Sequence, residues 1–188
     1  MENTWVVVAI AVVVALGFPI ILYNGLVRLR NHCRESWSDV DTELKRRHDL
    51  IPNLVEVVKG YAKHERELFE RVASLRSQAM SGRNSPGELA AKENELMGAV
   101  GRLFALAEGY PSLKADEHFQ RLMRELVLTE DRIQAARRFY NANVRDFNTR
   151  CEVFPSVILA KTFSFEAEEF FELSDVKERI APAVGLGS

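Results

Sequence analysis

Few residues in this chain have a type and spacing that invite a chemical reading. His32, His48 and His64 stand sixteen apart, which puts successive rings on nearly opposite faces of a helix; with His118 they form no ligand cluster. His64-Glu65 opens like a zinc-protease helix, but Leu68 occupies the place of the second histidine. Cys33 and Cys151 match no metal spacing and are too few for a disulfide framework, so both are expected as small core thiols. The glycines form neither a phosphate-binding loop nor a nucleophile elbow. Glu130 and Arg137 fall on an apolar seam and could act as acid and base. With no accompanying motif, they are expected instead to fix register or to pair in the core. Asp39, Asp41, Asp49, Asn53 and Glu56 surround Pro52 without a cation-binding loop and read as a solvated face. The expectation is a protein without catalysis, metal or cofactor. Lys plus Arg number 25 and Asp plus Glu 27, a net charge of −2, which argues against a nucleic-acid partner.

The elements that carry these residues begin with a greasy one. No charged residue occurs from Asn3 to Val27. Trp5 to Tyr23, with Pro19 inside it, would span about 28 Å as a helix, close to a bilayer's hydrocarbon thickness. Trp5 and Tyr23 stand where interfacial aromatics belong. Residues 1–25 are therefore expected to be an uncleaved transmembrane anchor, since no basic residue opens the chain as in a signal peptide. Arg28, Arg30 and Arg34 follow the span and could meet lipid headgroups. By the positive-inside rule, the N-terminus lies outside and the rest in the cytoplasm. Lys45, Arg46 and Arg47 read as topology signal and solvated face.

Everything after the anchor has helical period, and no segment alternates as a strand would. The fold class is all-α: an anchor helix runs on into a long helix kinked at Pro52, and an antiparallel up-and-down bundle follows. Ser85-Pro86-Gly87-Glu88 is a capping box, Asp116 caps the next helix, and Pro155 stops or kinks it. The helical domain covers 26–176, and 177–188 is expected to fray. The first helix, carried to Met80, would outrun the helix after it and leave residues 26–50 as a bare stalk. On that reading Leu26, Leu29, Cys33, Trp37, Val40 and Leu44 form an exposed seam for self-association. Phe163, Phe165, Phe170 and Phe171 read as a plug at the bundle end or as a partner-docking patch.

The residues also resemble a known family. Tyr23-Asn24-x-Leu26-Val27-x-Leu29-Arg30-Asn31 is similar to the start of the bacterial LemA family. Trp37-Ser38-Asp39-Val40-Asp41 and Leu44-Lys45-Arg46-Arg47-x-Asp49-Leu50-Ile51-Pro52-Asn53-Leu54-Val55-Glu56 resemble its most distinctive motif. Glu108-x-Tyr110-Pro111 and Arg137-Arg138-x-Tyr140-Asn141 continue the likeness in order. The resemblance implies a single-pass anchored helical bundle, no established catalytic residues, and a scaffold at the membrane. It also implies a membrane zinc metalloprotease as one class of partner, which would make the chain an accessory subunit of a quality-control complex.

Overall fold

The computed structural model describes residues 2–81 and 85–173, apart from the side chains of 2, 3, 7–12, 14 and 15. The described residues form six helices: α1 (Glu2–Tyr61), α2 (Arg66–Met80), α3 (Pro86–Glu108), α4 (Pro111–Lys114), α5 (Glu117–Glu152) and α6 (Ser156–Thr162). No strand occurs among the described residues. The chain divides into two compact units, and α1 and α5 contribute to both. Unit 1 is Met1–Ser38 with Phe139–Glu169; unit 2 is Asp39–Arg138 with Phe170–Ser188. The expected fraying of 177–188 lies outside the described residues.

Local signals set both ends of α5 and the start of α3. Ser85 Oγ accepts from the Glu88 amide at 3.4 Å, and Glu88 Oε2 accepts from the Ser85 amide at 3.2 Å, closing the capping box of α3. Asp116 Oδ1 accepts from the Phe119 amide at 2.9 Å and caps α5. α5 ends at Glu152, ahead of a cis Phe154–Pro155 bond.

Pro52 does not reverse the chain, and the helix runs on through it as expected; only its end differs. α1 is assigned as one helix through it and ends at Tyr61, not at Met80. Proline lacks the N–H that would bond the carbonyl four residues back, leaving that of His48 without its usual partner. Arg76 Nε, from α2, donates to this same oxygen at 2.6 Å. The helix passes the proline because a side chain supplies the missing donor.

The core of unit 2 includes Ile51, Leu54, Val58, Ala62, Phe69, Val72, Leu96, Val100, Leu103, Leu113, Phe119 and Leu126. In unit 1 the buried apolar residues include Leu22, Leu26, Cys33, Val144, Phe147, Ala160 and Phe165. The exposed stalk seam is thus a correction. Leu26 and Val40 are 0% exposed, Leu44 is 1% and Cys33 is 2%, while Leu29 and Trp37 are half-buried. Measuring the cover by α3 alone missed what α5, α6 and the segment after them bring. In unit 1, residues 139–169 supply the partners for the 26–38 part of the stripe. A single copy already hides the surface on which self-association was to rest.

Among the described residues, no helix is long and apolar enough to cross a membrane. The expected span Trp5–Tyr23 includes 7–12, 14 and 15, whose side chains are outside the described set.

Candidate functional site

The distinctive polar feature arises from charges placed on apolar seams. On α1 the buried positions run Val40, Leu44, Arg47, Ile51, at steps of four, three and four. On α3 they run Leu89, Glu93, Leu96, Val100, and on α5 Leu126, Glu130, Ile133. Those phases turn Arg47, Glu93 and Glu130 inward within unit 2, and they meet. Arg47 Nη2 donates to Glu93 Oε2 at 2.6 Å, and Nη1 donates to Glu130 Oε1 at 2.7 Å. His48 Nε2 lies 2.7 Å from Glu93 Oε1. Arg47 and Glu93 are fully buried, and His48 and Glu130 nearly so.

Burial pushes the Glu93 carboxyl up. The hydrogen bond with His48 and the positive charges of Arg47 and His48 outweigh it and hold the group below its ordinary range. The charge count closes at zero when His48 carries its proton. Arg47 Nε and Glu130 Oε2 are buried without a hydrogen bond, so the network is not fully satisfied. The guanidinium occupies the middle of the carboxylates, where a cation would have to sit. Among the described residues no group of three or more His, Cys, Asp or Glu could hold a metal. This arrangement locks three helices in register. Three of the four carboxylate oxygens bond Arg47 or His48, and the fourth, Glu130 Oε2, bonds neither.

Unit 1 is organised by aromatics. Tyr23 meets Phe163 and Phe165 edge-on, with ring centroids at 4.8 and 5.7 Å, and Phe147 meets Phe165 at 6.3 Å. Arg30 places its guanidinium carbon 4.9 Å from the Phe165 centroid. After α6, the described residues 165–173 have no regular structure and are strapped by side chains. The Asn148 amide donates to the Glu168 carbonyl and accepts from the Glu168 N–H, both at 2.9 Å. Tyr140 Oη donates to the Glu169 carbonyl at 2.8 Å. Ser164, at φ 53°, turns the chain so that Phe165 comes back onto Tyr23. Burial, followed by the nearby charge of Glu168, pushes the Cys33 thiol up to about 11.

The sequence candidates scatter over this framework. Arg28 and Arg34 are exposed, whereas Arg30 is half-buried on Phe165. Phe163 and Phe170 are exposed, but Phe165 and Phe171 are buried; the first pair of the run belongs to unit 1 and the second to unit 2. Of the four phenylalanines, Phe163 and Phe170 are the two that present surface. Glu130 pairs with Arg47 and not with Arg137, which donates to the Leu173 carbonyl and to Gln134 Oε1. Asp39, Asp41, Asp49, Asn53 and Glu56 are all exposed. Arg47 is the second correction: it belongs to the core, not to a solvated basic face. The sequence reading also missed Glu93, although its place between Leu89 and Leu96 marked it. The role of Arg76 left no such mark.

The comparisons with known proteins agree with this helical framework. The family model described as "LemA family" matches residues 36–185. The chain is 25% identical to "Magnetosome protein MamQ 2" of Paramagnetospirillum magneticum over 89% of its length and 71% of that protein. It is 25% identical to "Magnetosome protein MamQ" of Magnetospirillum gryphiswaldense, covering 79% and 64%. With "Protein LemA" of Metamycoplasma hominis the identity is 26%, covering 82% and 70%.

Proposed function

This chain belongs to the LemA family, and from that premise we propose that it is a membrane-anchored helical scaffold or adaptor that performs no catalysis. One observation carries the anchor. Leu16, Phe18, Ile20 and Ile21 are all more than half exposed and cover about 200° of the circumference of α1, and the apolar Pro19 and Leu22 occupy the remaining arc. A helix apolar on every side belongs in a core or in lipid. The uncharged run from Asn3 to Val27 and the arginines after it support a single pass with the N-terminus outside. The buried ions of unit 2, which face one another, support a structural role. The name magnetosome protein, carried by two of the relatives, supports work at an assembled cellular structure.

The full chain is expected to stay with membranes through an alkaline carbonate wash and to be released by Leu16→Lys with Ile20→Lys. Recovery of the unaltered chain in the soluble fraction overturns the anchor. Gentle extraction is expected to yield an assembly heavier than one copy, and a solitary chain overturns the scaffold. Self-association would use a face other than the covered 26–50 stripe. The exposed ring of Phe170 favours a second reading, an accessory subunit of a membrane protease. In that case a stoichiometric partner is lost in Phe170→Ala, with the buried Phe171 left in place.

A further inference from the structure

The corner between α5 and α6 is built inside out. In α6 the small residues face inward, Ser156 at 0% and Ala160 at 2% exposed, while Ile158 is 57% exposed. Around it Phe154 is 80% exposed, Phe163 55% and Val153 40%. A surface helix in water normally buries its large apolar side chains and shows its small polar ones. Here Val153, Phe154 and Ile158 are exposed at one end of unit 1, and Phe163 leaves more than half of its surface exposed while its ring meets Tyr23.

The position of that end is fixed by contacts along α1. Asn143 Nδ2 donates to Ser36 Oγ at 3.1 Å, and the Tyr140 ring lies 5.0 Å from that of Trp37. Antiparallel pairing at equal rise then brings Glu152, the last residue of α5, level with about Leu26. α6 follows, and Phe163 just after it packs on Tyr23 at 4.8 Å. The corner is therefore level with Tyr23, where the expected span of α1 ends, four residues before its uncharged stretch stops at Val27. Exposed Arg28 and Lys161 belong to this end, as do exposed Glu152 and Glu166, so net charge does not select the occupant. Apolarity and level do.

We propose that the α5–α6 corner is a second membrane contact, with Phe154, Ile158 and Phe163 seated at the headgroup–acyl boundary beside the anchor. This rests on the anchoring reading above. An apolar face held at the mouth of a span meets lipid without further search, and aromatic rings favour that depth. Two attachments would fix how unit 1 faces the bilayer, where one helix alone leaves it free to swing.

The test uses the full chain with Cys33→Ala and Cys151→Ala, reconstituted in phosphatidylcholine–phosphatidylglycerol vesicles. Single cysteines carrying an environment-sensitive fluorophore are placed by Phe154→Cys, Ile158→Cys, Ile20→Cys and Leu128→Cys. Lipids brominated along the acyl chain quench from the membrane side, and iodide quenches from water. Labels at 154 and 158 are expected within ~5–10 Å of the headgroup–acyl boundary, quenched by brominated lipid and protected from iodide. The label at 128, an exposed leucine of unit 2, is expected to respond to iodide alone. If 154 and 158 respond to iodide while 20 responds to brominated lipid, the corner proposal fails and the anchor stands. If 154 and 158 escape both quenchers, protein covers them, and the lipid assignment is overturned. If 20 itself responds only to iodide, the anchor reading falls and takes this one with it.

Discussion

The two units are held by opposite means. Unit 2 encloses charge: Arg47, Glu93, Glu130 and His48 meet beside an apolar core of Leu, Ile, Val, Ala, Met and Phe. Unit 1 encloses rings, and it fastens an irregular segment with amide and hydroxyl bonds to the backbone. Buried ions lose much when one partner goes, because the other is stranded in low dielectric. Rings and straps are lost piecemeal. A charged core thus enforces one helix register, while the aromatic unit can place a peptide segment without the help of secondary structure.

The sharpest way to break this contrast is Arg47→Ala, which strands two buried carboxylates. It should cost about 3–5 kcal/mol in chemical denaturation followed by circular dichroism. A loss below about 1 kcal/mol would mean that the cluster is hydrated and not structural. Replacing Arg47, Glu93 and Glu130 together by Met and Leu should restore most of that loss, since well-packed apolar groups match or exceed buried ion pairs.

Arg76→Met comes next. It leaves the His48 carbonyl beside Pro52 without a donor, at about 1–3 kcal/mol, and faster amide exchange around residue 52 should report it. If Pro52→Ala is made as well, most of the cost should vanish, because the backbone then supplies its own N–H. In unit 1, Asn148→Ala removes both bonds to Glu168 and should cost about 1–2 kcal/mol, with local loss of protection at 165–169.

Proton linkage separates the units by sign. Glu93 is held below its ordinary value of 4.5 in the fold, so its contribution is complete above pH 4.5 and is lost as pH falls through the lower folded value. Cys33 moves the other way, from 9.0 to about 11, so its contribution is complete below pH 9.0 and is lost as pH rises toward 11. Acid titration should weaken unit 2 and alkaline titration unit 1, with Trp37 fluorescence following the latter. If Glu93→Gln leaves the acid transition unmoved, the first half of this assignment is wrong. The smallest effect is expected from Ser85→Ala, about 1 kcal/mol at the start of α3.

Much of this was legible because it is local. A capping box needs only Ser85 and Glu88, and the Asp116 cap needs only the amide of Phe119. The seam phase could have exposed Arg47 as well: counted from Leu44 and Ile51, it can point only inward. The break after Tyr61 was hidden by the same rule. Ala62 and Phe69 keep the apolar period across it and enter one core, so no phase shift marks the end of α1. The uncovered stalk failed because helix lengths were compared between neighbours in sequence, whereas the cover of its 26–38 part comes from 139–169, more than a hundred positions away.

Periodicity and capping are properties of a few consecutive residues, and the chain alone settled the helical class, the starts of α3 and α5 and the absence of a recognised catalytic motif. Only the tertiary structure decided that Pro52 is passed with the aid of Arg76, that Arg47 is neutralised by Glu93 and Glu130, and that the stripe from Leu26 to Leu44 is covered. Those outcomes depend on which distant donor or apolar side chain arrives beside a given backbone atom. Sequence spacing carries no distance across a fold; packing does.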